Sequence, residues 1–263
     1  MSTILQISDP HFGTERPEVV DALTRLGQQL QPELVVLSGD ITQRARHTQF
    51  AAARAFMNGF EAPRLVLPGN HDIPLMNLWA RLVQPYAGHR SAFGDALEPS
   101  FDSPGLMVLG VNTTRPYRHK NGEVSPAQIK RVARRLAQAT AQQLRVVVVH
   151  QPIEVLRERD THDRLIGHAA AQTAWAAAGA DLVMGGHIHL PYVIPLPGLA
   201  RPMWAVQAGT AVSKRVRPGA PNSVNVVRWQ VAQRSCAVEQ WDFSATDRAF
   251  VQVRVTRFEP QRG

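Results

Sequence analysis

One cysteine, Cys236, is all the thiol that this 263-residue chain has. An intrachain disulfide is therefore excluded, and so is a metal cluster held by several thiolates. A lone thiol in an apolar stretch reads as a small buried hydrophobe. Long apolar runs are also missing: none approaches the ~20 residues that a membrane-spanning helix needs. No leader pattern opens the chain, since Met1 to Ser8 runs straight into a polar motif at Asp9. Together these absences give a cytoplasmic expectation. Runs of five or more like charges, internal repeats and low-complexity stretches are absent as well, which argues against a nucleic-acid-binding tail.

What is present is an ordinary globular composition, 44% hydrophobic, carrying 29 basic and 21 acidic residues for a net charge of +8. The excess of cations suits an anionic partner such as a nucleotide, a nucleic acid or a lipid headgroup, and it equally suits a plain solvated surface. A chain of this length can bury roughly 70–75% of the surface its unfolded form exposes. No linker interrupts residues 9–189. One domain over 1–263 is expected, with an alternating α/β core at 1–190 and a mainly β part at 191–263.

Short apolar runs alternate with amphipathic ones. Strands are expected at 3–7, 34–37, 64–67, 106–111, 145–149 and 181–184. Helices are expected at 15–30, from Phe50 to Phe60, after Ser125, and at 169–178. Ser125, Pro126 and Gln128 form a capping box. Beyond Gly185 the strands at 192–194, 203–207, 223–229 and 236–243 follow one another without a long helix. Strand–helix–strand units imply a parallel sheet covered by helices. The β-rich tail predicts a second, more antiparallel sheet packed on it. Residues 84–105 and 152–168 look irregular and are expected to loop over a site. Trp175, Trp204, Trp229 and Trp241 are expected in the core.

Polar, metal-competent side chains follow five of these strands. Asp9 and His11 come after the first, and Asp40 follows Ser38-Gly39. Asn70, His71 and Asp72 follow Pro68-Gly69, His150 ends a run of valines, and His187 and His189 follow Gly185-Gly186. The carboxyl edge of an open α/β sheet is where ligands bind. No single motif decides the matter: Asp160-Thr161-His162 copies the Asp-x-His form in a charged stretch with no strand before it, and reads as a solvated loop. Five elements each placed after a strand are much harder to explain structurally. Two carboxylates, one amide and four imidazoles exceed what one tetrahedral zinc takes. They suit two ions of higher coordination, with Mn, Fe, Zn or Co favoured by mixed N and O donors. Two divalent ions a few ångströms apart can clamp both oxygens of an in-line displacement at phosphorus and supply hydroxide at neutral pH.

The order Asp-x-His, Gly-Asp, Gly-Asn-His-Asp, His, Gly-His-x-His resembles the calcineurin-like metallophosphoesterase superfamily. The resemblance implies a four-layer αββα sandwich, that is, two mixed β-sheets flanked by helices. It assigns Asp9, His11 and His189 to one ion, Asn70, His150 and His187 to the other, and Asp40 to both. His71 becomes the group that meets the phosphate and protonates the leaving alkoxide, and Asp72 supports His71 or the turn. The chain is most similar to bacterial class III cyclic-nucleotide phosphodiesterases. The implied reaction is hydrolysis of a small nucleotide-like ester, such as a 3′,5′-cyclic nucleotide, by hydroxide generated at two divalent transition-metal ions (Mn, Fe or Zn). Nucleic acid, a phospholipid-linked pyrophosphate and phosphomonoesters are alternative substrates. A non-catalytic metal-binding interaction module is an alternative of another class, and the resemblance allows a homodimer. One departure is visible, in that Gln151-Pro152 follows His150 where relatives often carry a second histidine. Asn112 is placed equally well in a turn or at the site edge. The basic loop Arg115, Arg118, His119, Lys120 suits solvent or anion steering.

Overall fold

A strand covered on both faces needs apolar side chains at every position, and neighbouring residues then belong to different cores. That is the pattern found in a computed structural model, which describes residues 1–261. The chain runs β1 (Ser2–Ile7), α1 (Pro17–Leu30), β2 (Leu34–Leu37), α2 (His47–Met57), β3 (Arg64–Val66), α3 (Leu78–Val83), α4 (Ala87–Phe93), β4 (Ser100–Asp102) and β5 (Leu106–Gly110). It continues α5 (Pro126–Leu136), β6 (Leu144–Val148), α6 (His168–Ala177), β7 (Leu182–Gly185), β8 (Tyr192–Pro195), β9 (Trp204–Gln207), β10 (Ser223–Gln230), β11 (Ser235–Ser244) and β12 (Ala249–Phe258).

Two six-stranded mixed sheets result, ordered β12-β11-β10-β1-β2-β3 and β4-β5-β6-β7-β9-β8. Odd and even positions sort the side chains into layers. Ile4, Leu34 and Val36 of the first sheet meet Val108, Val146 and Met184 of the second in the central layer. Their neighbours Leu5, Val35 and Leu37 face outward onto α1 and α2 through Leu23, Leu26 and Phe50. On the far side, Met107, Leu109 and Val147 pack on α5 and α6 through Val132 and Trp175. The molecule is thus a four-layer αββα sandwich.

The sheets are not divided as sequence order suggests. Strands β10 to β12 do not form a sheet of their own. They extend the one built on β1, with β1 antiparallel to β10, while β8 and β9 extend the other beside β7. Every added strand satisfies an edge that would otherwise expose unpaired backbone. The stretch 84–105 is less irregular than its composition suggests, since it contains all of α4 and β4. The Ser125 capping box forms as expected, with Gln128 N donating to Ser125 Oγ at 3.2 Å and Ser125 N to Gln128 Oε1 at 2.9 Å. Trp175 and Trp229 are fully buried, as is Cys236, whereas Trp204 stacks half-buried on Phe258. Among the described residues, no helix is long and apolar enough to cross a membrane.

At the site end of the sandwich the apolar layer gives way to amides. Gln6 Nε2 donates to the Gly185 carbonyl at 3.0 Å, and Asn225 Nδ2 donates to Gln6 Oε1 at 2.9 Å. These fully buried groups tie the two sheets together directly beneath the loops that carry the motifs.

His89, on α4, is buried beside Phe93, and neither ring nitrogen has a hydrogen-bond partner. Burial pushes its pKa down from 6.5 to about 4, against an opposing pull from the Val66 backbone. The neutral form is therefore favoured in the fold. Its stabilisation is complete above pH 6.5 and is lost as pH falls toward about 4, which amounts to about 3 kcal/mol. Urea midpoints at neutral and acidic pH should show His89→Leu losing markedly less stability on acidification than the wild type. Equal acid losses in the two proteins would remove His89 from this account.

Candidate metal centre and active site

The parallel strands β1, β2 and β3 of one sheet and β5, β6, β7 and β9 of the other end on the same edge, and several of the turns that leave them are strained. Among the described residues, nine non-glycine residues have positive φ, and five of those are Asp9 (50°), His11 (44°), Asp40 (48°), His187 (75°) and His189 (54°). Left-handed backbone at a non-glycine residue costs about 1 kcal/mol or more, and it persists where surrounding structure over-determines it. Gly39, at φ 106°, makes room for a ring: a Cβ there would lie 2.4 Å from His150 Nδ1. Gly186 does the same for the other sheet, where a Cβ would lie 1.9 Å from Ser8 Oγ and 2.4 Å from Asp9 Oδ2.

The side chains converge in overlapping groups. Asp9, His11 and His189 bring ligand atoms within 4.8 Å of one another, as do Asp40, His150 and His187, and also His11, Asp40 and His71. Asn70 joins the second group, with Oδ1 3.2 Å from His150 Nε2. The backbone sets the ring orientations. His150 Nδ1 donates to the Ser38 carbonyl at 2.9 Å, and His189 Nδ1 donates to the Arg215 carbonyl at 2.6 Å. Each therefore turns Nε2, rather than Nδ1, inward. His11 Nε2 and His189 Nε2 face each other at 3.0 Å, and Asp9 Oδ1 lies 3.3 Å from the latter. Two inward imidazole nitrogens at that distance need a shared proton or a cation between them. His187 Nδ1 is buried with no partner at all. An orphaned buried acceptor is expensive unless something binds it. The donor set, nitrogen and oxygen without sulfur, fits divalent transition-metal ions.

Both carboxylates are held ionised. Burial would raise Asp9, but the His189 hydrogen bond and charge outweigh it and hold the group at about 2. Burial likewise opposes ionisation of Asp40, and the charges of His150 and His71 hold it well below the usual carboxylate range. Asp72 is different. It accepts from Gly69 N (2.8 Å), Ile41 N (3.0 Å), Thr42 N (2.8 Å) and Thr42 Oγ1 (2.8 Å), so it locks the Asn70–Asp72 turn onto the loop of Asp40. Burial, then the charge of Asp40, pushes it up to about 7. Its place is in the scaffold of the turn.

His71 lies on the open side. Its Nδ1 donates to the Gln43 carbonyl at 3.0 Å, and its Nε2 accepts from Arg215 Nη1 at 3.2 Å. The same guanidinium nitrogen reaches Gln43 Oε1 at 3.1 Å. Arg215 appears in the sequence only as one member of a short basic cluster, with no strand run to flag it. Asp163 is a second residue without a sequence signal: its Oδ1 lies 3.6 Å from His187 Nε2, on the side opposite the orphaned Nδ1. In the Asp160-Thr161-His162 triplet, Thr161 and His162 are exposed as a solvated loop would have them, but Asp160 is not. Asp160 is buried and pairs with Arg217 Nη2 at 2.7 and 3.0 Å. That pair walls an open cleft of about 470 Å³ that continues past His187 and His189. Asn112 has a turn role, accepting from Thr114 N at 3.0 Å and Thr114 Oγ1 at 2.7 Å. Gln151 anchors the loops behind the site by accepting from Thr113 Oγ1 at 2.6 Å and donating to the Lys120 carbonyl at 3.1 Å.

A two-sheet sandwich with this donor set gathered at its carboxyl edge defines a metallophosphoesterase. The chain belongs to the calcineurin-like phosphoesterase family, whose sequence pattern matches residues 2–191. It is 31% identical over 80 residues to the glycerophosphodiester phosphodiesterase GpdQ of Enterobacter lignolyticus, covering 26% of this chain and 29% of that protein. It is 22% identical over 169 residues to a probable cyclic nucleotide phosphodiesterase of Synechococcus, covering 63% of this chain and 61% of that one. The chain thus matches less than two thirds of the length of either relative. In fold it is similar to the purple acid phosphatase PPD1 of yellow lupin, with TM-score 0.74, 11% identity and coverage of 97% and 53%. It is also similar to a dimetal phosphatase from Danio rerio, with TM-score 0.70, 13% identity and 99% of both chains covered.

Proposed function

We propose that the chain hydrolyses a small nucleotide-like phosphodiester, with a 3′,5′-cyclic nucleotide as the leading substrate. Asp9, His11 and His189 would hold one divalent ion, Asn70, His150 and His187 a second, and Asp40 would reach both. The observation that carries this reading is the pair of ligand groups flanking Asp40, with His71 and Arg215 on their open side. Two ions bound there supply charge neutralisation at phosphate and water acidified to near-neutral pKa.

The chain's own residues do the rest. The Gln43 carbonyl fixes Nδ1–H of His71, so Nε2 is the atom that exchanges a proton. As an imidazolium, His71 hands that proton to the leaving alkoxide. The Arg215 guanidinium has the fork geometry to take a non-bridging phosphate oxygen. Moving onto the phosphate releases His71 Nε2 for the leaving group. Asp163 faces Nε2 of His187, which favours a proton there and directs the Nδ1 lone pair inward. The two phosphodiesterase names among the relatives support a diester over a monoester.

The test is a panel on metal-stripped protein with Mn²⁺ restored: a nitrophenyl phosphodiester, the matching monoester, cyclic AMP and single-stranded DNA. Metal-dependent cleavage of the diester and of cyclic AMP is the expected result. Cleavage of DNA or the monoester alone would replace the substrate. Stoichiometric metal without any turnover would favour an interaction module.

A further inference from the structure

Four of the five tryptophans pack into the sandwich or against its edges, and the fifth, Trp79, is 76% exposed. It stands on α3 in the company of Met76, Leu78, Leu82 and Val83, all exposed, with Leu82 at 75%. An apolar ridge of this kind on a water-facing surface marks an interaction site. Arg81 Nη2, on the same helix, donates to the Arg118 carbonyl at 2.7 Å and so ties the ridge to the loop of exposed Tyr117.

The ground around the ridge is cationic. Residues 41–60, 73–94 and 114–122 contain neither Asp nor Glu. These segments are neighbours in space: Gly88 of α4 packs on Phe50 of α2, and the Tyr86 hydroxyl donates to the Thr114 carbonyl at 3.0 Å. Arg118 pairs with Glu123 at 2.9 Å and the charge of Lys120 acts on Asp163, while Arg44, Arg46 and Arg90 are exposed and have no carboxylate partner among the described residues. The surface also adjoins the site, because Gln43, next to Arg44, holds His71. Burial, followed by the charges of Arg81, His71, Lys120 and Arg44, lowers the pKa of His119 in this patch.

We infer that the α3 ridge and its cationic surround dock the protein on an anionic phospholipid surface, next to the mouth of the candidate active site. Aliphatic side chains and a tryptophan gain by entering the headgroup–acyl boundary, and the flanking cations are drawn to an anionic leaflet. A six-residue helix offers too little apolar area to hold a neutral bilayer alone, so both signals are needed. A second copy of the chain would bring two cationic surrounds face to face. Nucleic acid would match the charge but leave Met76, Leu78, Leu82 and Val83 unused. Docking does not depend on the hydrolytic reading; that it delivers phosphoester headgroups to the site rests on that reading.

The test is co-sedimentation of the full chain with vesicles of phosphatidylcholine, and of an equimolar mixture with phosphatidylglycerol. Binding to the mixed vesicles only, reversed by salt, is expected. The variant Leu78→Ser/Trp79→Ser/Leu82→Ser should lose at least ~10-fold in partitioning. Arg46→Glu/Arg90→Glu should lose binding at low salt. Turnover of a soluble nitrophenyl diester should be unchanged in both variants. Three results would overturn the proposal: no sedimentation with mixed vesicles, equal sedimentation of the serine variant, or a dimer or DNA complex that the serine variant abolishes. Wild type that turns over the diester but ignores vesicles sinks only the docking. Ridge-dependent vesicle binding without diester turnover sinks only the phosphodiesterase reading.

Discussion

Asp40→Asn is expected to lower turnover of a nitrophenyl phosphodiester by about 10³-fold, and to reduce bound metal from two ions per chain to one or fewer. The size follows from several kcal/mol of charge stabilisation at phosphate that two ions provide, at 1.36 kcal/mol per tenfold in rate. Asparagine is the informative substitution because it tolerates the left-handed backbone that Asp40 adopts at φ 48°. Its Oδ1 can still accept the His71 backbone N–H, which Asp40 does at 2.9 Å. The change thus removes charge while keeping shape. Elemental analysis of the purified variant together with its turnover checks the result. Two ions retained at near wild-type rate would mean that Asp40 does not join the ligand groups.

His71→Ala should divide substrates by their leaving group. General-acid assistance is worth about 10²–10⁴-fold where the departing oxygen is a strongly basic alkoxide. A nitrophenolate leaves without a proton, so most of that factor should vanish on a nitrophenyl ester. The comparison needs only one variant and two substrates, cyclic AMP and the nitrophenyl diester, with metal content confirmed as unchanged. Equal losses on both would assign His71 to phosphate binding rather than proton delivery. The geometry favours the acid role, since the Gln43 carbonyl already takes Nδ1–H and leaves Nε2 as the exchanging atom.

Much of this site could be read along the chain because of how parallel strands are built. Buried on both faces, Leu34–Leu37 and Leu144–Val148 are nearly all apolar. The first polar residue after such a run stands out, and a glycine before it signals a sharp turn. Asp9 and His150 stand out at the end of such a run, and Asp40, Asn70 and His187 also follow a glycine. The capping box at Ser125 is equally local, since its partners lie three residues apart.

Other features have no local signature. Arg215 reaches His71 across 144 positions, and Asp163 reaches His187 from a turn that reads like any charged loop. Gln6 of one sheet reaches the Gly185 carbonyl of the other across 179 positions. The final strand, β12, and the division of the C-terminal strands between two sheets belong to the same category. Periodicity records whether a residue faces a core, but not which sheet supplies that core.

The sequence by itself determined the α/β class, the strand ends and the polar side-chain types placed on them, because backbone preference and burial act over a few residues. Only the tertiary structure decided which strands share a sheet, which arginine stands over His71, and that Trp79 is left outside. Those outcomes depend on contacts between distant segments, where edge pairing and packing choose among partners that look alike in the chain.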